Sequence, residues 1–245
     1  LQASTQNSIE VNDSLHYKGF PIYYKDKLYL RPKVLTNNLR ITPELSITAE
    51  RAATYSNYGR LQALKYTNYR FFEVQQSDSA KLNAYVMLTR GKHQSVSFEV
   101  EGTNSAGDLG AAASVAFQHR NMFKGSETFM FKLRGAYEAV SGLQSSLNQD
   151  QELGAEATIN FPRFMFPFVS SDFKRRIRAT TEFGLQYNYQ MRPEFTRIVA
   201  SAGWSYKWGV QQQRSQHRID LLDINYLYMP SIDQTFKEIN LEKDE

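Results

Sequence analysis

The sequence predicts an α+β module followed by the wall of an antiparallel transmembrane β-barrel. Three observations predict it. From Gln94 to Tyr228 the chain holds run after run of strictly alternating apolar and polar residues, separated by turns. No run approaches the roughly 20 consecutive apolar residues that a membrane helix needs. Before Gln94 the pattern changes to short extended and helical segments.

The alternation can be followed by position. Val96, Phe98 and Val100 alternate with Ser95, Ser97, Glu99 and Glu101. Leu109, Ala111, Ala113, Val115 and Phe117 share a face. Phe129, Phe131, Leu133, Tyr137 and Ala139 oppose Thr128, Lys132, Arg134 and Glu138. Leu153, Ala155, Ala157, Ile159 and Phe161 oppose Glu152, Glu156, Thr158 and Asn160. The fifth run, Ile177 to Gln190, sets Ile177, Ala179, Phe183, Leu185, Tyr187 and Tyr189 against Arg178, Thr180, Glu182, Gln186, Asn188 and Gln190. The sixth sets Ile198, Ala200, Ala202, Trp204, Tyr206 and Trp208 against Arg197, Ser201, Ser205 and Lys207. A seventh, Arg218 to Met229, switches phase at Leu221–Leu222, which predicts a β-bulge. Side chains alternate faces along a strand, so each run has one apolar and one polar side.

Ahead of these runs, residues 1–92 read as one module and 93–245 as the barrel part. Leu1–Ser14 is polar, a strand or linker, and Leu1–Glu10 lacks the apolar core of a signal peptide; export implies a leader removed upstream. Phe20–Leu30 reads as extended. Pro32 suits the first turn of a short helix, Arg31–Leu39. Thr48 is a candidate N-cap for a second helix, Thr48–Leu64, with Ala52, Tyr55, Leu61 and Leu64 on one side. Tyr66–Gln75 and Lys81–Arg90 read as a hairpin. The order β-α-α-β-β predicts a small α+β domain.

Composition narrows the function classes. The 245 residues carry a net charge of +4 without a long basic block, so nucleic acid is not an expected partner. Cysteine is absent, which removes disulfides and thiolate metal sites and fits an exported chain. His16, His93, His119 and His217 are scattered, and no His-x-x-x-His pair exists. His217, Asp220 and Asp223 sit at a spacing that puts strand neighbours on opposite faces, a poor metal site. Gly107-Asp108-Leu109-Gly110 lacks the strand–turn–helix context of a phosphate loop. No serine stands in a nucleophile elbow. No enzyme activity, cofactor or metal is expected. Lys132, Arg134, Glu138, Glu152, Glu156, Arg178 and Glu182 read as lining a wet lumen. The aromatic run Phe161–Phe168 reads as an interfacial belt rather than a client patch, and Lys174–Arg178 as a basic turn at a rim facing solvent, lipid head groups or an acidic partner.

Several stretches resemble a known family. Lys65–Val74 and Asn83–Leu88 pass into Ser97–Thr103 as the last polypeptide-transport-associated (POTRA) domain passes into the first barrel strand of the BamA/TamA outer-membrane assembly superfamily. Arg120-Asn121-Met122-Phe123-Lys124-Gly125-Ser126-Glu127 is similar to that family's turn between barrel strands two and three, Arg-Asn-Leu-Phe-x-Gly-x-Glu. Tyr187–Thr196 and Trp204–Trp208 resemble strands five and six of the TamA-like, lipid-anchored branch. The resemblance spans roughly residues 15–240. It implies a 16-stranded barrel, of which about seven strands are counted here, and the family's Arg-Gly-Phe/Tyr loop motif is absent. The chain therefore reads as the N-terminal half of a barrel.

What the resemblance implies is a Gram-negative outer-membrane protein with a periplasmic N-terminal domain. It would insert or export unfolded client proteins through a lateral gate at the first barrel strand, with Val96, Phe98, Val100, Glu101 and Gly102 as the templating strand. Its partners would be the outer-membrane bilayer, nascent outer-membrane clients, and a periplasmic or inner-membrane protein bound through the POTRA domain. Arg120, Asn121, Phe123, Gly125 and Glu127 would carry the family turn. Three alternatives stand beside it: a passive porin-like channel with a periplasmic domain, a two-partner-secretion pore, and a soluble β-rich binding protein.

Overall fold

A computed structural model describes residues 11–39, 54–74, 81–105, 108–139, 149–170, 173–174, 177, 179–210 and 215–233. The chain divides into two compact units. One comprises Leu1–Lys92 together with Asn121–Glu127; the other comprises His93–Arg120 and Thr128–Glu245.

The first unit opens on a hairpin of β1 (Asp13–Tyr17) and β2 (Phe20–Tyr24), with Tyr17 opposite Phe20. Its two-residue turn, Lys18–Gly19, has φ of 52° and 81°, the left-handed pair that a tight hairpin needs. Asp13 accepts the Tyr24 hydroxyl at 2.7 Å, which holds its carboxyl below the usual range and raises the tyrosine. Helix α1 (Pro32–Asn38) starts on its proline, as expected. A helical stretch follows at 54–59, and β3 (Leu64–Val74) pairs with β4 (Lys81–Arg90).

A small core holds these pieces together. Leu30, Tyr58, Leu61 and Ala63 are buried, with Val34, Leu35, Leu64, Val86 and Leu88 packed against them. The Tyr58 hydroxyl donates to the Leu35 carbonyl at 2.7 Å and the Asn57 amide to the Asn38 carbonyl at 3.2 Å, satisfying the end of α1.

One expectation for this unit needs correction. The second helix does not run to Leu64: the described helical residues stop at 59, and Leu64 already belongs to β3. The expected start of that helix, residues 48–53, lies outside the described residues. Among the described residues β1–β2 and β3–β4 are separate two-stranded sheets, and a POTRA α+β module is not shown.

The second unit is a seven-stranded antiparallel meander in the order β11-β10-β9-β8-β7-β6-β5. Its strands are β5 (Gln94–Ser105), β6 (Asp108–His119), β7 (Thr128–Ala139), β8 (Gln149–Phe161), β9 (Thr180–Met191), β10 (Phe195–Val210) and β11 (Ser215–Ile232). The fold is thus mostly antiparallel β-sheet, and the sheet is open: β5 and β11 are its two edges. The fifth strand begins at Thr180, not at Ile177, which is helical. Arg175, Arg176 and Arg178, expected in the basic turn and the lumen, lie outside the described residues. The phase switch predicted at Leu221–Leu222 is a bulge: Trp204 faces Leu222 and Ser205 faces Asp220, leaving Leu221 as the extra residue. A second irregularity falls at Met229–Pro230, between the pairs Ile198–Tyr228 and Thr196–Ser231; proline suits it because it cannot donate to the ladder.

The register brings the apolar runs onto one face. Along one diagonal, Phe98 meets Val115, Val115 meets Leu133, and Leu133 meets Ala155; Ala155 meets Tyr187, Tyr187 meets Ala200, and Ala200 meets Tyr226. The opposite face is polar and tied by charge. Glu182 pairs with Lys207 at 2.7 Å, and Arg134 reaches both Glu152 and Glu101 at 3.3 Å. The Arg134–Glu101 and Lys132–Glu99 pairs each cross over β6, whose residues on that side are the short Ala112, Ser114 and Ala116. Two strand spacings amount to roughly 9–10 Å, within the combined reach of an arginine and a glutamate.

Candidate functional site

Two features of the chain are built to do something, an edge strand on an inverted sheet and a buried turn.

The inversion is a matter of which face is covered. On the polar face Asp150, Gln190 and Ser205 are 7%, 8% and 3% exposed. On the apolar face Val100, Leu109 and Leu185 are 83%, 68% and 62% exposed. Water-soluble proteins place these residue types the other way round, and a contiguous apolar patch of this extent marks an interaction surface. Several polar groups on this face bond one another: Asp150 accepts from Gln190 and from Arg192, the latter at 2.7 Å, and Glu152 accepts the Asn188 amide at 2.6 Å. No helix among the described residues is long and apolar enough to cross a membrane.

Edge strand β5 carries the residues expected to form a gate. Val96, Phe98 and Val100 project from the apolar face, 56%, 80% and 83% exposed. Glu101 lies on the polar face and pairs with Arg134. Gly102 faces Ala111, and a Cβ added there would meet nothing within 4 Å. The glycine is therefore not required by space. Its effect is on pairing strength: the far half of β5 faces Ala111, Ala112 and Ala113, while the near half faces Val115 and Phe117. Cross-strand side-chain pairs stabilise a sheet, and alanine partners contribute least, so this strand weakens toward its far end.

The second feature is the turn, residues 121–127, which lies in the first unit. Asn121 donates to the Tyr29 carbonyl at 2.9 Å and accepts the Ser126 amide at 3.0 Å. Glu127, 1% exposed, accepts from the Arg31 guanidinium at 2.7 Å, from the Gly125 amide at 2.8 Å and from the Phe123 amide at 3.3 Å. The Lys124 carbonyl accepts the Arg31 amide at 2.8 Å, and the Ser126 hydroxyl accepts the Ala63 amide at 2.9 Å. Lys124 and Ser126 take φ of 57° and 63°, left-handed values that side chains adopt at a cost and that these bonds hold in place. The Phe123 ring is exposed, and Met122 with it. Arg120, just outside the turn, belongs to the sheet: its guanidinium donates to Gln118 at 2.6 Å and Ser95 at 3.2 Å, and its amide to the His93 carbonyl at 2.7 Å. The expected motif residues Asn121, Gly125 and Glu127 thus converge, Phe123 contributes its backbone, and Arg120 serves the sheet. Ser126, within the same stretch, accepts the Ala63 amide, and Arg31, Tyr29 and Ala63 complete the cradle without having been expected there.

Gly125 is glycine for lack of room. A Cβ on it would collide with the Glu127 carboxylate and stand 2.5 Å from the Arg31 guanidinium. Gly125→Ala is expected to destabilise the first unit by about 1–3 kcal/mol, the usual cost of overpacking. Gly102→Ala, in open space, is expected to stay within about 0.5 kcal/mol. Chemical denaturation of the two variants side by side checks both; equal effects would contradict the assignment.

Among the described residues no three His, Asp or Glu side chains gather as a metal site. Comparison of the chain with family models, with curated proteins and with solved structures finds no match.

Proposed function

We propose that the chain is an outer-membrane assembly or translocation factor of the BamA/TamA type. On this reading the seven-stranded sheet stands in the bilayer, and strand β5 templates incoming client strands. The first unit then occupies the periplasm as the POTRA-like domain and receives clients or a periplasmic or inner-membrane partner. The observation that supports this most is the inverted sheet with its unpaired edge. An apolar face in the open and a hydrogen-bonded, ion-paired polar face are what a wall between lipid and a wet lumen requires.

The open edges carry the mechanism. In lipid, unpaired backbone groups cost several kcal/mol each, so an edge seeks a strand. Strands β5 and β11 run in the same direction, being first and last of seven in an antiparallel meander. They cannot close on each other without a parallel pair, and an odd number of further strands is needed to close antiparallel. A client strand adding to β5 by β-augmentation uses main-chain hydrogen bonds, which makes the edge tolerant of client sequence. The weak far end, from Val100 to Gly102, is where existing pairing would yield to the client. No side chain is asked to do covalent chemistry, so the activity is not enzymatic.

Proline at Val100 and Gly102 removes two backbone donors from the edge. The double variant is expected to reach the membrane at normal levels and to lose client insertion, read as folded client in a reconstituted assay. Full insertion activity in that variant would end the gate account. The ion-paired polar face fits a passive channel equally well, and steady single-channel conductance without client insertion would favour that reading.

A further inference from the structure

We propose that the segment joining β8 to β9 anchors the chain in the head-group boundary of an anionic phospholipid bilayer. The proposal rests on the membrane reading above and adds a ligand and a place to it. The segment is stapled to the apolar face. The Thr181 hydroxyl donates to the Arg163 carbonyl and accepts the Met165 amide, both at 2.9 Å, and the Tyr206 hydroxyl donates to the Met165 carbonyl at 2.9 Å. Thr181 and Tyr206 are 0% and 4% exposed, covered by this segment.

The bonds hold a chain of aromatic rings at one end of the apolar face. Phe164 lies 4.6 Å from the Tyr206 ring and 6.0 Å from Phe166, and Phe166 lies 5.8 Å from Phe168. The series ends in the open: Phe168 is 88% exposed, the most exposed large apolar side chain among the described residues. A ring at that exposure on a rigid support has no account inside the fold. Continuity with the exposed apolar face, through Tyr206, Trp204 and Phe183, gives it one.

Charge selects the occupant. The sequence of 162–177 carries four cations, Arg163, Lys174, Arg175 and Arg176, against one acid, Asp172. The Arg163 guanidinium sits 5.9 Å over the Phe161 ring. Aromatic rings beside cations suit the boundary where acyl chains meet phosphates. The meander places this connection at the end of the sheet where β5 begins, which on the membrane reading is the periplasmic leaflet.

Two single-tryptophan proteins test it in vesicles. One keeps Trp204 by the change Trp208→Phe. The other carries Phe168→Trp with Trp204→Phe and Trp208→Phe; Phe168 is exposed enough for the change to leave the fold intact. In equimolar phosphatidylcholine and phosphatidylglycerol, the indole at position 168 is expected to emit at shorter wavelength than in water. Lipids brominated near the head group are expected to quench it most. Adding Arg163→Gln and Lys174→Gln should reduce that quenching toward the level seen in phosphatidylcholine alone. A Trp204 that is quenched beside an unquenched 168 position overturns the anchor and leaves the membrane reading standing. If neither is quenched, the membrane reading fails and takes the anchor with it. Quenching indifferent to phosphatidylglycerol and to the two cations overturns the phosphate contact.

Discussion

Arginine in place of Leu185 is expected to destabilise the membrane-embedded sheet by about 2–4 kcal/mol, while arginine in place of Gln186 costs about 0–1 kcal/mol. Leu185 stands near the middle of β9, between Ala157 on β8 and Ala202 on β10, with the apolar face around it. On the membrane reading that position is near the bilayer midplane, where a cation has neither water nor a counter-charge. Gln186 is one residue away and points to the other face, beside Glu156 and Ser201, where a cation gains a carboxylate. The contrast between adjacent residues removes backbone propensity and expression from the comparison. Urea titration of the two variants in vesicles measures it. A water-exposed sheet would instead tolerate Leu185→Arg, since the leucine is already 62% exposed.

The second large effect concerns the buried turn. Removing Arg31 leaves the Glu127 carboxylate, 1% exposed, with two backbone amides as its donors among the described residues. Breaking a fully buried pair costs about 3–5 kcal/mol; Arg31 is 42% exposed and partly screened, so about 2–3 kcal/mol is expected for Arg31→Ala. Arg31→Ala with Glu127→Gln should cost less than the sum of the single changes, because the glutamine no longer buries a charge. Hydrogen exchange at the Gly125 and Ala63 amides reads the turn directly. Both should lose protection in Arg31→Ala and recover part of it in the double variant. Unchanged protection in Arg31→Ala would mean that the pair does not hold the turn.

What was legible in the sequence followed from period. Alternation at two residues per repeat puts Val96, Phe98 and Val100 on one face whatever the neighbours are, and the meander follows when turns are short. Even the bulge was readable, because an extra residue at Leu221 must invert the phase of everything after it. Features that depend on contact across long stretches of chain were not readable. Arg31 and Glu127 are 96 residues apart, and nothing local in Arg31-Pro32 indicates a carboxylate so far along the chain. The fold-back of residues 163–165 onto Thr181 and Tyr206 left no mark beyond a run of phenylalanines. The helix that ends early did so against propensity: Leu61 and Leu64 fit its apolar side, yet Leu61 packs in the core from a turn and Leu64 begins β3. The pairing of this unit's strands was not legible for a similar reason, since strand-like runs do not say which strand they pair with, and β1–β2 forms a local hairpin. At the candidate site, Asn121, Gly125 and Glu127 were legible as a turn, and their long-range partners were not.

The central claim is that the apolar face meets lipid and the polar face meets water. The chain has no cysteine, so each cysteine introduced singly along β9 gives one spin label at one site. Scanning Glu182 to Gln190 in vesicles, we expect accessibility to oxygen to peak at Phe183, Leu185, Tyr187 and Tyr189. Accessibility to a water-soluble nickel chelate should peak at Glu182, Gln186 and Asn188, with the two profiles in opposite phase. The reverse phase, or apolar positions closed to both reagents as in a packed core, would contradict the account.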